Sequence, residues 1–122
     1  MFNYALPLGY VLKSKLYNYR IEKILGQGSF GITYLAKIEL QGDLGYLESC
    51  IHVTIKEFFM KEISGREGTN VTSSSNSKCG LFYDYKEKFA REAKNLSKLK
   101  HPNIVNVMEL FEANNTCYYV ME

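Results

Sequence analysis

The stretch "ILGQGSFGITYLA", Ile24 to Ala36, carries glycines at Gly26, Gly28 and Gly31, the spacing G-x-G-x-x-G. Loops of that spacing hold phosphate in two unrelated settings. In dinucleotide-binding folds the glycines open a helix whose N-terminal dipole faces the pyrophosphate. In the other setting the loop joins two strands. The residues after Gly31 decide between them. Ile32, Thr33, Tyr34, Leu35 and Ala36 are strand formers, and no cap residue stands where a helix would begin. A Walker loop ends in Gly-Lys-Ser/Thr, and Gly31-Ile32-Thr33 has no lysine. A strand–loop–strand hairpin remains, which taken alone is equally a phosphate loop or a plain turn.

The sequence around the loop reads as follows. "YRIEKIL" (Tyr19–Leu25) and "ITYLAKIEL" (Ile32–Leu40) have the alternation and β-branched content of half-buried strands. "QGDLGYLES" is a turn, and "CIHVTIKEFF" (Cys50–Phe59) is a third strand. Residues 61–82 form a polar insertion. Its core, Lys61–Gly80, is rich in Ser, Gly and Asn, and reads as a flexible spacer or a regulatory loop with room for a small hairpin. "DYKEKFAREAKNLSKLK" (Asp84–Lys100) is the one convincing helix. Asp84 and Glu87 fit a D-x-x-E cap, and Phe89, Ala93, Leu96 and Lys100 share a face. "HPNIV" (His101–Val105) ends it. Two more strands, "IVNVMELFE" and "CYYVME", flank a tight "ANNT" turn. Residues 1–18 read as an N-terminal extension, and 19–122 as one domain in the order β-β-β-α-β-β.

Composition narrows the function classes. Apolar residues make up 46% and charged residues 23%, as in ordinary globular domains. A net charge of +2 is too small to argue for nucleic acid or an anionic membrane surface. Cys50, Cys79 and Cys117 are too few and too scattered for a disulfide framework or a metal site, and suit a reducing cytoplasm. No apolar run is long enough to span a membrane, and "YALPLGYVL" lacks the basic flank of a signal peptide.

The third strand carries "VTIK" (Val53–Lys56), in which Thr54 and Lys56 point to the same face. Glu92 lies in the middle of the helix. Taken singly, Lys56 reads as a solvated strand lysine, and Glu92 as an i,i+4 partner of a helix lysine, ahead of any functional role. Taken in order, the glycine loop, "VTIK", the helix glutamate, "HPNIV" and "YYVME" resemble the N-terminal lobe of a protein kinase over about residues 19–122. "GQGSFGITYLA" and "IKEFF" look most like bacterial kinases of the eukaryotic Ser/Thr type.

The resemblance implies an α+β fold, a five-stranded antiparallel sheet with one main helix. It implies ATP as the ligand, with Gly26, Gln27, Gly28, Ser29, Phe30 and Gly31 closing over its phosphates. Lys56 would hold the α- and β-phosphates, and Glu92 would hold Lys56. Thr33 and Thr54 fall in the adenine roof, where the family has Val and Ala. Met121 matches the gatekeeper and Glu122 the first hinge residue. Leu96 and Val107 match the regulatory apolar stack. The catalytic Asp and the Mg2+ ligands are expected in a C-terminal lobe beyond Glu122. No metal site is therefore expected here, and the 122 residues alone should be inactive. The parent would transfer phosphate to protein Ser/Thr hydroxyls. The alternative is a pseudokinase or a free-standing interaction module without catalysis. The lower face around Leu96, Val107 and Met121 is expected to pair with a second copy when the lobe stands alone.

Overall fold

The computed structural model describes residues 5–42, 45–60, 64–73, 79–99 and 106–122. In chain order these form β1 (Val11–Lys13), β2 (Asn18–Gln27), β3 (Gly31–Gly42), β4 (Gly45–Phe58), β5 (Ser64–Glu67) and β6 (Asn70–Ser73). Then come α1 (Cys79–Ser97), β7 (Val107–Ala113) and β8 (Thr116–Met121). Six strands make one antiparallel sheet in the order β1-β2-β3-β4-β8-β7, and β5 and β6 make a separate hairpin.

The five strands read from alternation are present in their expected order, but the single five-stranded sheet is not. Val11–Lys13, placed in the N-terminal extension, adds a sixth strand against Asn18–Arg20 at the sheet edge. The polar insertion supplies a hairpin of its own. Eight strands in two sheets replace five in one. Both additions are short strands paired with near neighbours in sequence, three residues in β1 and four each in β5 and β6, too short for alternation to mark.

The helix also differs at both ends. It starts at Cys79, so Asp84 lies inside it rather than at its cap, and its first turn has no acidic residue. It ends at Ser97. Lys100 and the "HPNIV" segment lie outside the described residues.

Alternation along β4 sends consecutive side chains to opposite faces of the sheet. Phe58 meets α1, its ring 5.3 Å from Phe82 and 5.5 Å from Phe89. Glu57 faces the other way and is fully buried. Its Oε1 accepts a hydrogen bond from the Tyr34 hydroxyl at 2.7 Å and one from Arg66 Nη2 at 2.5 Å. Its Oε2 accepts from the Tyr118 hydroxyl. Arg66 is on β5, so this ion pair fastens the hairpin to the sheet.

Further hydrogen bonds reach outward from these hydroxyls and from the hairpin. The Leu6 amide donates to the Tyr34 hydroxyl at 3.0 Å, and Asn114 Nδ2 donates to the Tyr118 hydroxyl at 2.9 Å. The Val71 amide donates to Asn114 O, and Asn115 Nδ2 donates to Val71 O. Leu6, Leu12 and Val71 are buried with the sheet's core residues. Every buried polar side-chain atom among the described residues has a partner, as a buried charge requires.

Candidate functional site

The strand register brings the candidate residues together. Thr33 on β3 lies opposite Lys56 on β4, which lies opposite Tyr119 on β8. Two residues along, Leu35, Thr54 and Met121 form the next row. Directly opposed residues in antiparallel strands project to one face, as do residues two apart. Thr33, Thr54, Lys56 and Met121 therefore share a face with Tyr119 and Phe58, the face covered by α1.

The glycine loop arches over the end of that face. The Gly28 amide donates to Gly31 O at 2.8 Å, and the Phe59 amide donates to Phe30 O at 3.2 Å. Gln27 and Ser29 are exposed. None of the three loop glycines has positive φ; among the described glycines only Gly9 and Gly68 do. What the loop uses is the missing side chain at Gly31. A Cβ there would lie 3.0 Å from Glu57 O and 3.3 Å from Lys56 Cε. A Cβ on Gly26 would meet nothing, and on Gly28 only Gly31 O at 3.9 Å. The close approach of loop and lysine strand thus depends on one glycine.

Phe30, at the loop tip, stacks on Tyr85 of α1 with centroids 5.3 Å apart. Beneath this contact lies a cavity of 290 Å³ lined by Phe30, Lys56, Phe58, Tyr85, Lys88, Phe89 and Glu92. The fold thus collects the loop tip, Lys56 and Glu92 at one cavity from three different elements. Lys56 and Glu92 do not form an ion pair: among the described residues no carboxylate lies within 4.0 Å of the Lys56 ammonium. Lys56 Nζ instead lies 5.8 Å from the centroid of the Tyr119 ring. Burial pushes the Tyr119 phenol up, opposed by the charge and hydrogen bond of Lys56 and reinforced by the charge of Glu92.

The remaining candidates sit near this centre. Met121 is half-buried at the end of β8, and the amide of exposed Glu122 donates to Asn106 O at 3.2 Å. Leu96 and Val107 are half-buried. Among the described residues no cluster of three His, Cys, Asp or Glu side chains is arranged to hold a metal ion. A half-buried cation without a carboxylate partner, beneath a glycine that admits close approach, suits an anionic ligand such as a phosphate.

Sequence reasoning left out Tyr119, Tyr85 and Lys88. Tyr119 stands two residues before Met121, so alternation places it on the same face. Tyr85 stands one helical turn before Phe89, in the same stripe.

The chain is similar to known proteins in sequence and in fold. The chain is 33% identical to mouse serine/threonine-protein kinase Nek3 over 105 residues, covering 86% of this chain and 15% of that protein. It is 26% identical to an Aurora kinase of Eremothecium gossypii over 118 residues, covering 97% of this chain and 25% of that one. Among solved structures, the apo form of PpkA-294 superposes with a TM-score of 0.81 at 24% identity, over 98% of this chain and 39% of that chain. No family model matches the chain. The chain thus spans a quarter or less of these two curated kinases. It has a protein-kinase-like N-lobe fold, α+β with one main helix. Among the described residues no helix is long and apolar enough to cross a membrane.

Proposed function

We propose that this chain is the ATP-binding N-terminal lobe of a Ser/Thr protein kinase, of the bacterial eukaryotic-like type, working in the cytoplasm. The observation that carries this reading is the convergence of the glycine loop, Lys56 and Glu92 on one cavity. Gly26 to Gly31 cover the phosphates, and Gly31 lets the loop lie against the strand that carries Lys56. Lys56 meets the α- and β-phosphates as a compact cation, and Glu92 reaches Lys56 when the helix closes. Thr33 and Thr54 flank the adenine with hydroxyls where an apolar roof would be smoother, which weakens nucleotide binding. Bound ATP supplies the transferable phosphoryl group, and Mg2+ offsets its charge through ligands outside this chain. The parent protein, completed by a second lobe, phosphorylates protein hydroxyls. This lobe alone does not.

The half-buried Leu96, Val107 and Met121 leave apolar surface on the lower face. A second copy of the chain covers it in solution, and light scattering at high concentration should report a dimer. Only monomer would remove that part of the reading.

Calorimetry with Mg-ATP tests the main reading. Binding by the chain, lost in Lys56→Ala, supports it. Equal binding by both, or none by either, overturns it for this chain and leaves the interaction module without nucleotide chemistry.

A further inference from the structure

We infer that Tyr119 is a positioning residue for Lys56: its ring holds the ammonium against β8, apart from Glu92, until an anion in the cavity draws it away. Its functional meaning rests on the ATP-lobe reading above. The contact itself stands on geometry alone.

Lys56 and Tyr119 are directly opposed in the β4–β8 ladder, so their side chains run side by side on one face. The separation of 5.8 Å is within cation–π reach. The ring is not free to turn aside. Tyr119 is only 2% exposed and packs at 4.9 Å on Phe89 of α1. Its hydroxyl feels both charges, with Lys56 and Glu92 shifting its ionisation in opposite directions. Two acceptors therefore compete for one ammonium. Glu92 is exposed, and water screens its attraction, whereas the aromatic ring is desolvated. That balance accounts for a lysine that shares a cavity with its glutamate but pairs with a tyrosine. A polyphosphate in the cavity carries far more charge than a ring quadrupole and takes the ammonium from Tyr119. Lys56 then stands free to meet Glu92 as well. Tyr119 thereby links occupation of the cavity to closure of the helix.

A mutant cycle tests the competition without nucleotide. In the unmodified chain, Glu92→Gln should move the melting midpoint by less than about 1 °C; in Tyr119→Leu, where Lys56 is released towards Glu92, it should lower it by about 3 °C. Tyr119→Phe keeps the ring and should fall between. Equal effects of Glu92→Gln in all three backgrounds overturn the proposal. A second measurement needs no variant. Nuclear Overhauser contacts from the Lys56 ε-protons to the Tyr119 ring should be present in the free chain and weaken on adding inorganic tripolyphosphate. Their absence in the free chain, or persistence at saturating tripolyphosphate, overturns it too. A chain that shows the cycle and the contacts but does not bind Mg-ATP removes the nucleotide reading and keeps the tyrosine's hold on Lys56.

Discussion

Lys56 and Glu57 are neighbours on β4 and live in opposite circumstances. Glu57 is fully buried, and two phenols and a guanidinium satisfy its carboxylate. Lys56 is half-buried beside a cavity and leans on an aromatic ring with no carboxylate within 4.0 Å among the described residues. A period of two separates them: one side chain goes to each face of the sheet. The Glu57 face is sealed by residues 5–12 and by the β5–β6 hairpin. The Lys56 face is covered by α1 and stays open under the glycine loop. A charge with every bond met fixes the structure around it, whereas a charge with two weak suitors is free to change partners. The contrast teaches where this lobe keeps its stability and where it keeps its freedom.

The largest expected effect breaks the sealed side. Arg66→Ala leaves the Glu57 carboxylate buried without its cation, which costs about 3–5 kcal/mol. Lys56→Ala removes a charge without a carboxylate partner and should cost less than about 1 kcal/mol of stability. Denaturant midpoints of the two variants measure the gap, and equal losses would erase the distinction between the faces.

High pH attacks the same side next. Burial, and then the charge of Glu57, raise the Tyr34 and Tyr118 phenols. Burial pushes the Cys117 thiol up to about 12 from 9.0. In the unfolded chain these groups ionise near their ordinary values of 9.0 and 10.0. Between those values and the raised folded ones, unfolding releases protons. Their contribution is whole below about pH 9 and falls as pH rises towards 12, by at most about 1.4 kcal/mol per pH unit for each group. Denaturant titrations at pH 8 and pH 10.5 should show the loss, and a flat profile would mean that these hydroxyls and the thiol are not held as described.

The two sides were also unequally legible in the sequence. Period-two alternation placed Thr54 and Lys56 together, and helical spacing placed Phe89 and Ala93 inside. The glycine loop and its flanking strands follow from local propensity alone. The sealed side does not. Leu6 and Leu12 sit near Pro7 and Gly9, and only their distant partners make them core. Arg66 lies in a stretch whose Ser, Gly and Asn content resembles a spacer, yet it answers a charge on β4. Glu57 offered the one local hint, a carboxylate between Ile55 and Phe59 at positions that alternation buries. At the helix, Asp84 and Glu87 imitated a start that the fold places earlier, at Cys79, because Gly80 masks the start of the periodic run. A lysine and a glutamate aimed at one cavity were legible. Their failure to pair was not, since it depends on Tyr119 on β8, which three strands and the helix separate from β4 along the chain.

A smaller effect probes how the hairpin is fastened. Asn114 and Asn115 have φ of 52° and 59°, the left-handed pair of a type I′ turn. Asn115 Nδ2 also donates to Val71 O on the hairpin. Asn115→Ala incurs the left-handed strain and loses that bond, about 1–2 kcal/mol in all. Asn115→Gly relieves the strain but not the bond, and should melt between the two. If alanine and glycine melt alike, the turn contributes through the Val71 bond rather than through backbone conformation.

The smallest effect belongs to the open side. Phe30 is 51% exposed and touches α1 through Tyr85. A ring pair of this kind contributes about 0.5–1.5 kcal/mol when buried, and exposure places it at the low end. Phe30→Ala should therefore leave the global melting midpoint nearly unchanged. The effect should appear locally. The Phe59 amide, which donates to Phe30 O, and the Gly28 amide, which donates to Gly31 O, lose the loop's anchor to the helix. Their hydrogen exchange should quicken by about 3-fold, the equivalent of about 0.6 kcal/mol, while exchange at the amides of Tyr34 and Tyr118 holds steady. Equal acceleration at all four positions would mean that loop and sealed face open together, as one cooperative unit. Acceleration confined to the loop would place Gly28–Gly31 at the low-stability end of the lobe, where a segment that must open and close over phosphates has to lie.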